Sequence, residues 1–197
     1  MIALDGDLYR ALMSGNEKKV IELCKRVLEG PMHKLTIHED TVLHMATYSK
    51  QKDLVLNLLR QWPEAKTNKL TTKNDTGNTI LHEAATSNRL VPAAGEMLRR
   101  APELLELKNL MGENALFRAA RYGKMQMFKF LDEKFNECLA SEGGVLEERR
   151  EKFYQRNDET TILHISVLTE HFGVSTEDEP PMEEGRISNP GKVLTSI

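Results

Sequence analysis

Three histidines recur in one short motif, in which a threonine is followed by two apolar residues and a histidine. The motif reads TVLH, TILH and TILH, and its histidines are His44, His82 and His164. Imidazole is a common zinc ligand, so a metal site is the first chemistry to consider. No cysteine or carboxylate stands at ligand spacing beside these histidines, and units that stack side by side keep them apart. We therefore predict no metal site, and imidazoles that tie one unit to the next through backbone hydrogen bonds.

The sequence also lacks the motifs that identify common enzyme classes. It has no GxSxG, HExxH, dinucleotide or phosphate-loop pattern, and no paired carboxylates beside a plausible nucleophile. Cys24 and Cys138 each lie in a helical pattern, where a buried, unreactive thiol is expected. We predict that the protein is not an enzyme, has no cofactor and acts on no small-molecule substrate.

Charge is distributed unevenly along the 197-residue chain, whose net charge is -3. Residues 175–197 contain five acidic and two basic side chains, which leaves residues 1–174 neutral. A neutral body offers no broad basic face for phosphates, so nucleic-acid binding is not expected. No segment approaches the ~20 apolar residues of a membrane helix, and the two cysteines form no CxxC pair. These features favour a soluble, cytoplasmic protein without direct membrane insertion.

The elements that position the histidines follow from an internal repeat. Aligned leucines recur with spacings of 35, 38, 35 and 47 residues, at Leu8, Leu43, Leu81, Leu116 and Leu163. Repetition at this length indicates stacked helix pairs, each unable to bury its apolar side alone. Three positions after each leucine stands a small residue, alanine in four copies and Ser166 in the fifth, which lets the helices approach closely.

The sequence also predicts where each helix pair begins and turns. Thr41, Thr79 and Thr161 each precede an apolar helical pattern, where a hydroxyl accepts a hydrogen bond from an unpaired backbone N–H, so they are predicted N-caps. About seven residues after the leucines come predicted turns, at Gly15, Lys50, Asn88 and Gly123. Glycine and asparagine tolerate positive φ, whereas lysine at such a turn is strained or requires another turn type.

These copies resemble the ankyrin repeat, whose signature runs Gly-x-Thr-Pro-Leu-His-x-Ala-Ala. GNTILHEAA, from Gly77 to Ala85, matches except that Ile80 replaces proline, and GENALFRAA, from Gly112 to Ala120, keeps the frame. Two further copies have Glu39 and Glu159 in place of the glycine. The resemblance covers roughly residues 5–170. It implies an all-α ankyrin-repeat solenoid of helix-turn-helix pairs with a disordered C-terminal tail.

The resemblance also sets the expected domain boundaries. Residues 1–172 are expected to form about four repeats plus an incomplete fifth, with an insertion at 137–156, and residues 173–197 an acidic disordered tail. LEERREKFY within the insertion predicts a short charged helix, which is either a solvated face or a partner-specific protrusion. The fifth repeat lacks an outer helix in this pattern, and the apolar residues expected to be exposed there are Ile165, Val167 and Leu168.

The unusual T-[IV]-L-H motifs, together with PELLELKNLMGENAL, resemble the ankyrin domains of plant proteins that carry a C-terminal PGG-type membrane domain. That resemblance implies an array on the cytoplasmic side of a membrane, with transmembrane helices downstream. This sequence has no such helices. We therefore expect a shortened or alternatively ended member of a longer family.

In ankyrin arrays, the concave surface consists of loop tips and outward positions of the inner helices. The resemblance places the loop-tip candidates at Ile37, His38, Asp40, Asp75, Thr76, Asn78, Leu110, Met111 and Glu113. The inner-helix candidates are Tyr48, Ser49, Thr86, Ser87, Arg121 and Tyr122. Tyrosine and arginine dominate interface hot spots, which favours Tyr48, Arg121 and Tyr122. Leu110 and Met111 either anchor a partner or pack on the adjacent loop.

Two functions fit these observations. The first is a non-enzymatic protein-interaction scaffold or adaptor that binds an unidentified protein through its concave face. Replacing Arg121 and Tyr122 together by alanine is then expected to abolish binding with little loss of thermal stability. The alternative is a regulatory cytoplasmic domain, or truncated isoform, of a plant ankyrin membrane protein in stress or defence signalling, held at a membrane through a partner.

Overall fold

The computed structural model describes residues 2–141 and 146–168, and this part of the chain is built from helices, turns and two isolated β-bridges. Its α-helices are α1 (Ile2–Met13), α2 (Glu17–Cys24), α3 (Val42–Tyr48), α4 (Lys52–Gln61), α5 (Ile80–Ala84), α6 (Val91–Arg100), α7 (Ala115–Arg121), α8 (Met125–Ser141), α9 (Leu146–Tyr154) and α10 (Ile162–Leu168). Short 3₁₀ segments lie at Gly30–Met32, Glu64–Thr71, Asn88–Leu90 and Pro102–Leu105. The expected all-α class is confirmed for these residues, whereas the predicted tail at 173–197 lies outside them.

The helices pack as consecutive pairs arranged in two layers. α1 packs on α2, α3 on α4, α5 on α6 and α7 on α8. The first helices of successive pairs also pack together, α3 on α5, α5 on α7 and α7 on α10, and so do the second helices, α4 on α6 and α6 on α8. We call the first helix of each pair an inner helix (α1, α3, α5, α7, and likewise α10) and the second an outer helix (α2, α4, α6 and α8). The predicted helix pairs are therefore present, and each shares its buried surface with its neighbours.

The core shows why the inner helices approach so closely. Ala46, Ala84 and Ala119 are fully buried at the position predicted to need a small side chain. Around them the aligned leucines Leu43, Leu81 and Leu116 and the apolar stripes of the outer helices form one continuous core cluster. Burying apolar surface between pairs is the main favourable contribution to folding here, since no pair encloses its own core.

Most of the predicted turns have the expected backbone. Gly15, Lys50 and Gly123 all have positive φ, between 56° and 66°, so Lys50 takes the left-handed conformation despite its side chain. The third turn differs, because Asn88 begins a 3₁₀ segment, Asn88–Leu90, instead of adopting positive φ. Ser87 caps this segment by accepting a hydrogen bond from the Arg89 N–H, which removes the need for a left-handed residue.

The loops before the inner helices contain a second set of left-handed residues. Gly77 and Gly112 have φ of 77° and 78°, and Glu39 and Glu159 take the same conformation at the equivalent positions, with φ of 62° and 64°. At Gly77, a Cβ atom would lie 2.7 Å from the backbone nitrogen of Leu110 in the next loop. Glycine is therefore required at that position for both its φ and its close packing.

The insertion at 137–156 is more helical than predicted. α8 continues to Ser141, and α9 packs back on it through stacked rings of Phe135 and Phe153, whose centroids are 3.6 Å apart. The charged helix predicted in LEERREKFY is confirmed, and its Glu148, Arg150, Glu151 and Lys152 are exposed. Arg149 instead pairs with Glu106, which lies in the turn that follows the third pair. The part of the insertion in α9 is therefore packed against the preceding helices.

The expectation for the last helix was partly wrong. Ile165 was expected to be exposed, but it is buried, because it lies on the side of α10 that packs on α7. Val167 and Leu168 are exposed as expected, and Leu163, which was not expected to be exposed, is too.

Glutamate and glycine at the equivalent left-handed positions should respond differently to substitution, and the free energy of unfolding shows the difference. We expect Glu39→Gly to stabilise the fold by about 0.5–1 kcal/mol, because a non-glycine residue at positive φ is strained. Gly77→Ala should destabilise it by about 2 kcal/mol or more, because its methyl group forces the adjacent loop to move. Urea unfolding followed by circular dichroism measures both changes.

Gly6→Ala is the matched control, since Gly6 lies inside α1 with open space around its Cβ position. It should stabilise the protein by about 1 kcal/mol through helix propensity alone. Equal effects of Gly77→Ala and Gly6→Ala would contradict the close packing between loops.

Candidate binding face

The bases of the loops are held together by the three repeated motifs. In the second pair, the Thr41 hydroxyl lies 2.8 Å from Nδ1 of His44 and accepts a hydrogen bond from the His44 N–H at 3.2 Å. The Thr41 N–H donates to Nδ1 of His44 at 3.4 Å, and in the third pair the Thr79 N–H donates to Nδ1 of His82 at 3.1 Å. Because a backbone N–H can only donate, Nδ1 is unprotonated and Nε2 carries the hydrogen. Both imidazoles are therefore neutral.

The protonated nitrogen of each ring links one helix pair to the next. Nε2 of His44 donates to the Asn78 carbonyl at 3.1 Å, and Nε2 of His82 donates to the Glu113 carbonyl at 2.9 Å. Both carbonyls belong to the residue just before the next N-cap. The predicted role of these two histidines, tying one unit to the next through backbone hydrogen bonds, is thus confirmed.

The fourth pair contacts the helix that follows it without a histidine. Asn114 caps α7 by accepting from the Phe117 N–H at 3.1 Å, and its side-chain amide donates to the Phe153 carbonyl of α9 at 2.8 Å. Phe117 fills the histidine position and is fully buried. His164 in α10 keeps the contacts with Thr161, but both residues lie nearer the surface.

The loop tips form a ladder in which each is bonded to the next. The Asp75 N–H donates to the His38 carbonyl at 2.9 Å, and the Leu110 N–H donates to the Thr76 carbonyl at 3.1 Å. His38 Nδ1 lies 2.7 Å from the Asp75 carboxylate. The structure therefore brings together four of the loop-tip candidates in fixed positions relative to one another.

The apolar candidates at the tips are exposed. Ile37 is 93% exposed and Leu110 77%, and Met111 is also exposed. The Leu110 side chain lies over Gly77, but this contact leaves most of it open. Leu110 therefore contacts the adjacent loop, as one of the two interpretations expected, but stays largely exposed, and a role of Leu110 and Met111 in anchoring a partner stays a prediction.

The inner-helix candidates differ in their exposure and in the contacts that their side chains already make. Tyr48, at the end of α3, is 65% exposed. Tyr122 follows α7, is exposed, and packs its ring over the Arg118 guanidinium at 5.4 Å. Thr86 is half-buried, and its hydroxyl donates to the Glu83 carbonyl at 2.8 Å. Tyr48 and Tyr122 therefore offer aromatic surface, whereas the Thr86 hydroxyl is already engaged.

Arg121 has a structural partner that the sequence did not indicate. Its guanidinium pairs with Glu113, a carboxylate that is almost fully buried at the base of the loop. Removing Arg121 would leave Glu113 with only Arg156, whose guanidinium is 3.9 Å away. Breaking one side of a buried pair is strongly destabilising. The expectation that replacing Arg121 and Tyr122 would cost little stability is therefore at odds with the structure.

Two further loop-tip candidates were wrongly placed at the surface. Asn78 and Glu113 are both buried, because each immediately precedes an N-cap at the base of its loop rather than at the tip. The Asn78 amide donates to the Glu83 carboxylate at 2.9 Å, and burial raises the pKa of Glu83 although the nearby Arg118 lowers it. Asp40 is half-buried and accepts from Asn74 at 2.8 Å.

Sequence reasoning missed the residues that shape these loops. Five positions before the cap, Asn74 accepts from the Asn78 N–H at 2.9 Å, and Asn109 accepts from the Glu113 N–H at 3.0 Å. Thr36 does the same for the Asp40 N–H at 3.1 Å. The available signal was a short polar residue at one fixed distance before each cap.

We name the ten retained candidates the candidate binding face: Ile37, His38, Tyr48, Asp75, Thr76, Thr86, Leu110, Met111, Arg121 and Tyr122. Half of these residues are apolar or aromatic, and the charged groups among them are paired, His38 with Asp75 and Arg121 with Glu113. Elsewhere, burial raises the pKa of the Cys24 thiol to about 12, as expected for an unreactive thiol, whereas Cys138 is only half-buried.

No known protein family and no curated protein sequence matches this chain significantly. The described residues contain no group of three or more metal-binding side chains. Nor does this part of the chain include a helix long and apolar enough to cross a membrane.

The neutral histidines predict how stability depends on pH. Burial lowers the pKa of His82 to about 4 and also lowers the pKa of His44. An unfolded chain protonates histidine near pH 6.5, so the unfolded state binds more protons as the pH falls below that value. We expect the free energy of unfolding to decrease from pH 7 to pH 5, by about 1.4 kcal/mol per pH unit for each histidine once the unfolded chain is protonated.

Urea unfolding between pH 5 and pH 7.5 tests this dependence. His82→Phe removes one titrating group, so the free energy of unfolding should change less steeply with pH, by the contribution of one histidine. Phe117→Leu is the matched control, because it alters the equivalent buried position without changing a titrating group. It should lower stability at every pH and leave the slope unchanged. Stability that does not vary with pH in this window would contradict neutral buried histidines.

Proposed function

We propose that the chain is an array of ankyrin-type helix pairs that acts as a non-enzymatic scaffold and binds a protein partner through the candidate binding face. The repeated motif and the equivalent hydrogen bonds of His44 and His82 support the repeat assignment. We also propose that it works in the cytoplasm, either free or held at a membrane by a partner protein.

The observation that carries this proposal is exposed apolar and aromatic surface on rigid backbone. Ile37 and Leu110 are the most exposed apolar side chains of the loop tips, and Tyr48 is the most exposed aromatic residue of the inner helices. Exposed apolar groups on a well-ordered scaffold indicate a contact surface. The ladder of hydrogen bonds between the loops fixes these groups before binding, which lowers the entropy cost of association.

Charge contributes less to recognition on this face. Arg118 is paired with Glu83, Arg121 with Glu113, and His38 with Asp75. These contacts are made within the chain, so a charged ligand would have to compete with them, although Nε of Arg118 and Nε of Arg121 are buried without a hydrogen-bond partner in the described part of the chain. The face therefore suits a protein surface with apolar anchors better than a nucleic acid or a small charged ligand.

A double substitution tests the proposed face. Replacing Tyr48 by alanine and Leu110 by serine removes two exposed side chains, so we expect Tm to change by at most about 2 °C. Recovery of a partner by proximity labelling should fall at least about tenfold, as expected when hot-spot residues are lost. Labelling in cells, followed by binding measurements with the purified partner, provides the readout.

Leu28→Ser is the matched control, because Leu28 is highly exposed but follows the outer helix α2 and lies on no loop tip. It should leave partner recovery unchanged. Partners that persist with the double variant and are lost with Leu28→Ser would refute the assignment of this face.

A further inference from the structure

α10 exposes apolar residues at positions that are buried in the other inner helices. Leu163 is 73% exposed, whereas its counterparts in α3, α5 and α7 are at most 1% exposed. Val167 is 50% exposed, and the equivalent residues of those helices are buried. The two side chains are four residues apart and therefore lie on one face of the helix. This face is distinct from the candidate binding face.

The other pairs show what normally covers this surface. In each, an outer helix follows the inner helix after a short turn and packs antiparallel to it. The apolar stripe of α4 stands 11, 12, 15 and 16 residues after the aligned leucine, at Leu54, Val55, Leu58 and Leu59. The occupant required by α10 is therefore an antiparallel helix with apolar residues in adjacent pairs, one turn apart.

The sequence after α10 does not supply that stripe. At the same distances from Leu163 stand Val174, Ser175, Asp178 and Glu179. Two carboxylates at the positions of Leu58 and Leu59 would have to be desolvated against an apolar surface, which is unfavourable without partners. The register of the repeat thus assigns no covering helix to this part of the sequence.

α10 itself presents three of the four apolar positions of such a stripe, Leu163 and, one turn later, the adjacent Val167 and Leu168, with His164 in the fourth. Its seven residues, ILHISVL, include no acidic side chain, lysine or arginine, so two copies can face each other without repulsion between such groups. Packed antiparallel about a two-fold axis, Leu163 of one copy lies opposite Val167 of the other, and the same contact occurs twice. A self-complementary surface of this kind is what a symmetric dimer requires.

We propose that α10 is a self-association surface, through which two copies of this chain pair antiparallel at Leu163 and Val167. The helix is short and the apolar contact small, so association is weak and depends on concentration. In the dimer, each inner helix takes the place of the other's outer helix and completes the last unit of the array.

Sedimentation velocity of the full chain over micromolar to millimolar concentrations tests this proposal. The weight-average mass of the wild-type chain should rise toward that of a dimer. Leu163→Glu should weaken association at least about tenfold, which corresponds to about 1.4 kcal/mol. Ile37→Glu is the matched control, since Ile37 is an even more exposed apolar residue on a loop tip, and this variant should associate like the wild type.

A pair of variants with opposite charges tests the antiparallel geometry and distinguishes lost association from lost folding. Val167→Lys alone should also weaken association, but a mixture of the Leu163→Glu and Val167→Lys chains should recover it, because the mixed dimer joins glutamate to lysine. A wild-type chain that stays monomeric throughout would overturn the proposal. So would undiminished association of Leu163→Glu, or a mixture that associates no better than either variant alone.

Discussion

Polar groups buried between neighbouring helix pairs must each find a partner, and this constraint organises the described structure. The carbonyls of Asn78 and Glu113 each accept two hydrogen bonds, one from a backbone N–H of the same loop and one from a buried histidine of the preceding pair. A buried imidazole N–H without an acceptor would cost free energy comparable to a lost hydrogen bond. Because the donor belongs to one pair and the acceptor to the next, the bond couples adjacent units as well as satisfying each loop.

This coupling also explains the position of the loops. A loop whose base is bonded to the preceding pair, and whose tip is bonded to the next tip, has little freedom to move. The side chains at the tip, including Ile37 and Leu110, are then presented at fixed positions although they contribute little to the core. The surface on which we propose that a partner binds is therefore a consequence of the hydrogen bonds beneath it. Paired charges at its edge, such as Arg121 with Glu113, leave apolar contact as its main available chemistry.

Local features were predictable from the sequence because their causes are local. A threonine before an apolar pattern predicts a cap, and a repeated leucine with a small residue three positions later predicts closely packed helices. The caps at Thr41 and Thr79 and the burial of Ala46, Ala84 and Ala119 follow from these rules. The turn at Asn88 did not follow, because the Ser87 cap offers the backbone an alternative.

Features that depend on contacts between distant residues were less predictable. Arg121 resembles an interface residue until its buried partner Glu113, eight residues earlier, is seen. Register alone placed Asn78 and Glu113 among the tips, whereas both are buried and contact residues of the next loop, Asn78 accepting from Asn109 and Glu113 lying near Arg156. The packing of α9 on α8 rests on the stacking of Phe135 with Phe153, across an insertion that the repeat does not describe.

The most direct test of the central claim is to observe the side-chain hydrogens of His44 and His82 by nuclear magnetic resonance. Long-range ¹H–¹⁵N correlation identifies the tautomer, and couplings across hydrogen bonds identify the acceptor. The account predicts that both rings are neutral and protonated at Nε2, with slowly exchanging hydrogens coupled to the carbonyl carbons of Asn78 and Glu113. Rings protonated at Nδ1, or hydrogens that exchange freely with water, would contradict it.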